Sequence, residues 1–121
     1  MWNRNALKEY TDFLNKKVEV EIDRPLGSLH PKYKFKYEVN YGFIPNTKAP
    51  DKEEIDAYVL GVDEPLKNFR GICVAVIHRL NDNDDKLIVT PFDYKITNKE
   101  ITDLTHFQEK YFEIEIIRST L

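Results

Sequence analysis

The chain has 121 residues, 41% hydrophobic and 32% charged, with seven Tyr and seven Phe. That suits one domain with one hydrophobic core and excludes a disordered chain. The net charge of -3 argues against nucleic acid, because it leaves no broad basic field for a phosphate backbone; phosphate held here needs local cations or metal. One cysteine, Cys73, excludes an intramolecular disulfide and a zinc site built on several thiolates, and its apolar surroundings read as a buried, inert thiol. No run approaches the ~20 apolar residues that span a bilayer, and the first residues carry no apolar leader core, so no membrane association and a cytoplasmic location are expected.

Leu7, Tyr10, Phe13 and Leu14 fall at helical spacing, with Asn5 available as a cap, which predicts a short helix covering the core. Val18, Val20 and Ile22 then alternate with Glu19, Glu21 and Asp23 in the period of a half-buried strand, ended by Arg24-Pro25-Leu26-Gly27-Ser28. From His30 to Thr47, aromatic and basic residues are interrupted by Pro and Gly, predicting short strands and an irregular loop. A polar loop over 48–54 leads to a strand over 55–61, and Pro65 with 68–71 reads as a further connection. Ile72 to His78 predicts a central strand, Asn81-Asp82-Asn83-Asp84-Asp85 an acidic turn, and Lys86 to Pro91 its hairpin partner. Thr97-Asn98-Lys99-Glu100 is a capping box ahead of Ile101, Leu104, Phe107 and Tyr111, which predicts a second helix, and Phe112 to Ile117 alternates like a strand. The sum is a small antiparallel or mixed barrel with one or two helices.

Two carboxylate clusters stand out. Asp51, Glu53 and Asp56 cross a loop-to-strand junction, while Asp82, Asp84 and Asp85 sit in the hairpin turn. Either alone reads as solvated surface. Brought together, their repulsion requires protonation or a cation, and an all-oxygen site suits Mg²⁺ or Mn²⁺. Lys32, Lys34, Lys36, Tyr37 and Tyr41, with Lys86 beside the second cluster, supply cations and phenols of the kind a polyphosphate needs. The competing reading is an exposed strand whose lysines deter edge pairing. His30, His78 and His106 lack metal-ligand spacing, although His30 shares a loop with Arg24, Ser28 and Lys32 and is a candidate phosphate contact. Neither Ser28 nor Cys73 lies in a nucleophile motif.

Asn40-Tyr41-Gly42-Phe43-Ile44-Pro45-Asn46-Thr47, followed by Asp51-Lys52-Glu53-Glu54-Ile55-Asp56, resembles the family I inorganic pyrophosphatases, in which a Tyr-Gly-aromatic turn precedes a D-x-D-P-x-D signature. The resemblance runs from about Val18 to Phe112. It implies an α+β, mainly β fold, a small OB-like barrel with an N-terminal and a C-terminal helix. The domain would be single, 1–121, with 1–16 as a helical cover and 17–121 as barrel and C-terminal helix. It also implies that Asp51, Glu53, Asp56, Asp82 and Asp84 meet Mg²⁺ (or Mn²⁺), and that Asp56, Tyr41 and Lys86 act in catalysis. Lys32, Arg24, Tyr37, Tyr41, Lys86 and Tyr111 would bind a small phosphate-containing substrate. Glu53 replaces an aspartate, Lys34 a glutamate, and Phe112 the lysine of a Tyr-Lys pair; Glu21 stands for the glutamate of the preceding strand. The family's arginine-bearing hairpin has no counterpart, and Arg24 is the substitute nearest in sequence. The implied activity is metal-dependent hydrolysis of pyrophosphate. A hydrolase of another phosphoanhydride and an OB-type module that binds a phosphorylated ligand, nucleic acid or protein stay open, as does a homo-oligomer.

Overall fold

The structure is a computed structural model that describes residues 4–49, 53–82 and 84–119, with side chains from residue 7 onward. Two helices and six strands follow in the order α1 (Arg4–Thr11), β1 (Lys17–Arg24), β2 (Asn40–Ile44), β3 (Ile55–Val59), β4 (Asn68–Arg79), β5 (Lys86–Thr90), α2 (Asn98–Glu109) and β6 (Ile114–Ile117). The sheet runs β1-β2-β3-β5-β4, and β4 pairs back onto β1, which closes a five-stranded barrel. Only β3 and β5 run parallel in that barrel, so it is of the mixed kind.

Residues 68–71, expected as a connection, are instead the first part of β4. Asn68, Phe69, Arg70 and Gly71 pair with Glu21, Val20, Glu19 and Val18 and so seal the barrel, while Val76 to Arg79 carry β6 on the far half of the same strand. The polar, Gly-containing composition of 68–71 hides a strand whose exposed Asn68 and Arg70 flank Phe69, which packs on the barrel core. α1 begins earlier than the apolar spacing suggested, and Phe13 and Leu14 pack on the core from the turns after it. The proposed cap, Asn5, lies within α1, and its side chain is outside those described. α2 begins as predicted: Thr97 Oγ1 accepts from the Glu100 backbone N–H while the Glu100 carboxylate accepts from that of Thr97.

Period-two alternation divides the apolar residues into two cores. Val18, Val20 and Ile22 of β1, Ile44 of β2, Ile55, Ala57 and Val59 of β3, Cys73 and Val76 of β4, and Leu87 and Val89 of β5 fill the barrel, closed by Tyr10 of α1. Tyr41, Tyr58, Ala75, Ile77 and Ile88 face outward and meet Ile101 and Phe107 of α2. Gly42 lets β2 approach β1, since a Cβ there would run into the carbonyl of Glu21. Among the described residues no helix is long and apolar enough to cross a membrane.

Candidate active site on the outer wall

At one end of the outer core the same strand faces turn from apolar to charged. Two residues before Tyr58 on β3 stands Asp56, two before Ile88 on β5 stands Lys86, and two after Ile77 on β4 stands Arg79. The register brings them together, because Asp56 lies opposite Lys86 on one side and Phe43 on the other, and Ile77 opposite Lys86.

Asp56 Oδ2 accepts hydrogen bonds from Tyr41 Oη and Lys86 Nζ, both at 2.8 Å. The same ammonium reaches Asp84 Oδ2 at 2.8 Å, and Lys86 is only 2% exposed. A single buried cation therefore holds two carboxylates taken from the two acidic clusters of the sequence. Burial, followed by the charges of Asp56 and Asp84, keeps the Tyr41 phenol well above its ordinary range, so Tyr41 is a hydrogen-bond donor at any working pH.

Beside them the Arg79 guanidinium, from a residue 4% exposed, forms a two-pronged pair with Glu109 of α2, Nε to Oε1 at 2.9 Å and Nη2 to Oε2 at 2.7 Å. Its face lies 3.7 Å from the centre of the Phe112 ring. Tyr58 donates to Glu109 Oε2 at 2.7 Å, Gln108 Nε2 donates to Tyr58 Oη at 2.7 Å, and Tyr37 donates to Gln108 Oε1 at 3.1 Å. This chain fastens the end of α2 to the barrel wall. Behind it, Asp85 accepts from the Arg79 backbone N–H and pairs with His78 Nδ1, both at 2.9 Å; burial pushes the Asp85 carboxyl up.

These groups border a cavity of about 800 Å³, lined by charged residues at Asp23, Arg24, Asp56, Arg79, Asp84 and Lys86 and by aromatic rings from the 30–37 loop and from Tyr111 and Phe112. Asp56, Tyr41, Lys86, Arg24, Tyr37, Tyr111 and Asp84, all proposed from sequence, meet at it. Asp82 lies next to it, 3.4 Å from Arg79 Nη1. Lys32 and Glu53 are outside the lining: Lys32 is exposed with its ammonium 5.2 Å from the centre of the Tyr33 ring, and Glu53 is exposed ahead of β3, where its carbonyl accepts from Ala49 N–H at 2.7 Å. Asp51 lies outside the described residues.

Three participants were not anticipated. Asp23, next to a strand irregularity between Ile22 and Arg24, lines the cavity, whereas Glu21 is exposed and outside the lining. Burial, more than the opposing charge of Arg24, lifts the Asp23 carboxyl above its usual range. Arg79 continues the outward series Ala75, Ile77, and Glu109 continues the buried stripe Ile101, Thr105; a charge on each apolar series was the readable sign of a buried pair. His30 does line the cavity, with Nδ1 accepting from the backbone N–H groups of Lys32 and Tyr33.

Among the described residues no three His, Cys, Asp or Glu side chains form a ready cation cage. The donors that reach the cavity, Asp23, Asp56 and Asp84, are nevertheless hard oxygens, which fits an ion that keeps much of its water and takes only one or two carboxylates.

Fold and site define a closed β-barrel with a bowl of carboxylates, buried cations and phenols on its outer wall. The family model for inorganic pyrophosphatase matches residues 8–116, and the chain belongs to that family. It is similar to the inorganic pyrophosphatase of Pseudomonas aeruginosa, 38% identical over 96 residues, covering 65% of this chain and 54% of the relative. That of Helicobacter pylori is 30% identical over 119 residues, covering 81% and 68%. The crystal structure of the inorganic pyrophosphatase from Ehrlichia chaffeensis superposes with a TM-score of 0.69 at 22% identity, with 88% of each chain covered, and supports the fold. The chain spans about half the length of the Pseudomonas relatives it matches.

Proposed function

We propose that this chain hydrolyses inorganic pyrophosphate to two phosphates with a divalent cation. The observation that carries the reading is the buried Lys86 ammonium joined to both Asp56 and Asp84 on the cavity floor. Asp56 and Asp84 would hold Mg²⁺ or Mn²⁺, with Asp82, Asp51 and Glu53 as the further ligands proposed from sequence. When bound, the cation supplies a water of lowered pKa and neutralises phosphate charge. Lys86 and Tyr41 stabilise charge that develops on the departing phosphate, both held in place by Asp56. Arg24, Tyr37 and Tyr111 bind the outer oxygens, and Lys32 reaches substrate only if its loop moves. The same reading treats residues 1–121 as one unit that works in the cytoplasm. Phosphate release from pyrophosphate at neutral pH, with Mg²⁺, Mn²⁺ or chelator, tests it beside Asp56→Asn: metal-dependent release that survives that substitution unchanged sinks the assignment.

The aromatic lining favours a second reading. A cavity of about 800 Å³ bordered by Tyr33, Phe35, Tyr37, Tyr111 and Phe112 has space and ring surface beyond the needs of two phosphates, which suits an organic diphosphate with an aromatic group. Comparing turnover of pyrophosphate, a nucleoside diphosphate and a methyl diphosphate decides between the two.

A further inference from the structure

We propose that Arg79 contacts the substrate phosphate directly, an inference that rests on the phosphoanhydride reading of this site. Arg79 is the buried guanidinium at the cavity, and its environment fixes it on three sides. Glu109 takes Nε and Nη2, Phe112 covers one face, and the strand backbone beneath is tied by Asp85. A pair that served only to anchor α2 would be complete at that point. The third nitrogen, Nη1, instead faces Asp82 Oδ2 at 3.4 Å and Asp84 Oδ2 at 3.6 Å, both longer than a good charged hydrogen bond, while Asp84 Oδ2 has its close partner in Lys86 at 2.8 Å. A cation drawing on Asp84 would weaken its contact with Nη1 further. The guanidinium edge then offers planar N–H donors to a tetrahedral phosphate, in a setting where burial strengthens the contact and where rotamer freedom has already been given up.

Calorimetric binding of methylenediphosphonate, whose P–C–P bridge cannot be hydrolysed, tests this in the full chain with Mg²⁺. The double variant Arg79→Gln with Glu109→Gln removes the buried pair together, keeps neutrality and leaves hydrogen-bonding amides at both positions. It is expected to bind roughly ten- to a hundredfold more weakly than wild type, the loss of one charged hydrogen bond or two, with its thermal midpoint little changed. Glu109→Gln alone keeps the guanidinium and is expected to bind at least as tightly as wild type. Equal binding by wild type and the double variant, or equal weakening in both variants, overturns the role of Arg79 while leaving the phosphoanhydride site intact. Absence of binding by wild type overturns both. If the double variant does not fold, Arg79→Lys decides: it keeps the charge and loses the fork, so about tenfold weaker binding is expected and unchanged binding refutes the contact.

Discussion

The inside and the outside of the barrel are made from the same strands and obey different physics. On β3, Ile55, Ala57 and Val59 point into the apolar barrel core, while Asp56 and Tyr58 between them point out to the site and to the wall beneath α2. On β5, Leu87 and Val89 are interior, and Lys86 and Ile88 are exterior. The interior asks only that volumes fill the space. The exterior must satisfy each buried polar group by name, which it does through the chain Tyr37, Gln108, Tyr58, Glu109 and Arg79. Stability and chemistry can therefore be damaged separately, one residue apart on one strand.

The largest effect is expected at the exterior. Asp56→Asn removes the charge shared by Tyr41 and Lys86, and should lower phosphate release by roughly a hundred- to a thousandfold, the scale of losing one electrostatic group from a preorganised site. Asn still accepts from Tyr41, Lys86 keeps Asp84, and the position is partly exposed, so urea unfolding should move by only about 1 to 2 kcal/mol. Next comes the neighbour of Lys86. Leu87→Ala empties part of the interior and should cost about 3 kcal/mol in the same unfolding measurement, with turnover per folded molecule unchanged. If Leu87→Ala lowered turnover as much as Asp56→Asn, or if Asp56→Asn unfolded the barrel, the two faces would not be separable.

The interior was the legible half. Val18-Glu19-Val20-Glu21-Ile22 and the apolar run from Ile72 announce their strands, and the capping box at Thr97 fixes where α2 starts. Tyr37, Tyr41, Asp56, Asp84, Lys86 and Tyr111 were reachable because resemblance to a motif marks them, and Arg24 because it is the arginine nearest in sequence. Closure of the barrel by 68–71 was not read, since the alternation of Asn68, Phe69, Arg70 and Gly71 is only four residues long, holds one large apolar side chain and ends on a glycine that reads as a turn. Arg79 and Glu109 were missed for a different reason: each shows locally as a charge on a buried series, but which one pairs with which spans thirty residues and depends on α2 crossing the wall at that point. Asp23 rather than Glu21 lines the cavity, and the strand irregularity beside it leaves no trace in the alternation of β1.

The smallest predicted effect probes the exterior where it is buried but not catalytic. Tyr58 donates to Glu109 and accepts from Gln108, so Tyr58→Phe should cost about 1 to 2 kcal/mol at neutral pH, with phosphate release changed less than by Asp56→Asn. Its pH dependence gives the sign. Burial, reinforced by the Glu109 charge, raises the Tyr58 phenol well above its ordinary range, and Tyr41 is raised likewise. In the unfolded chain both ionise near pH ~10, whereas in the fold they stay protonated. Their contribution is therefore complete below that pH and is lost as pH rises through ~10 toward the folded values, because the unfolded state releases protons that the folded state retains. Unfolding free energy should fall by up to ~1.4 kcal/mol per pH unit for each phenol in that window. Tyr58→Phe should remove one such increment, so that the variant, less stable at pH 7, converges on wild type above pH 10. Parallel curves for the two proteins across that range would show that the phenol ionises as readily in the fold as out of it, and that the outer wall is wetter than its packing implies.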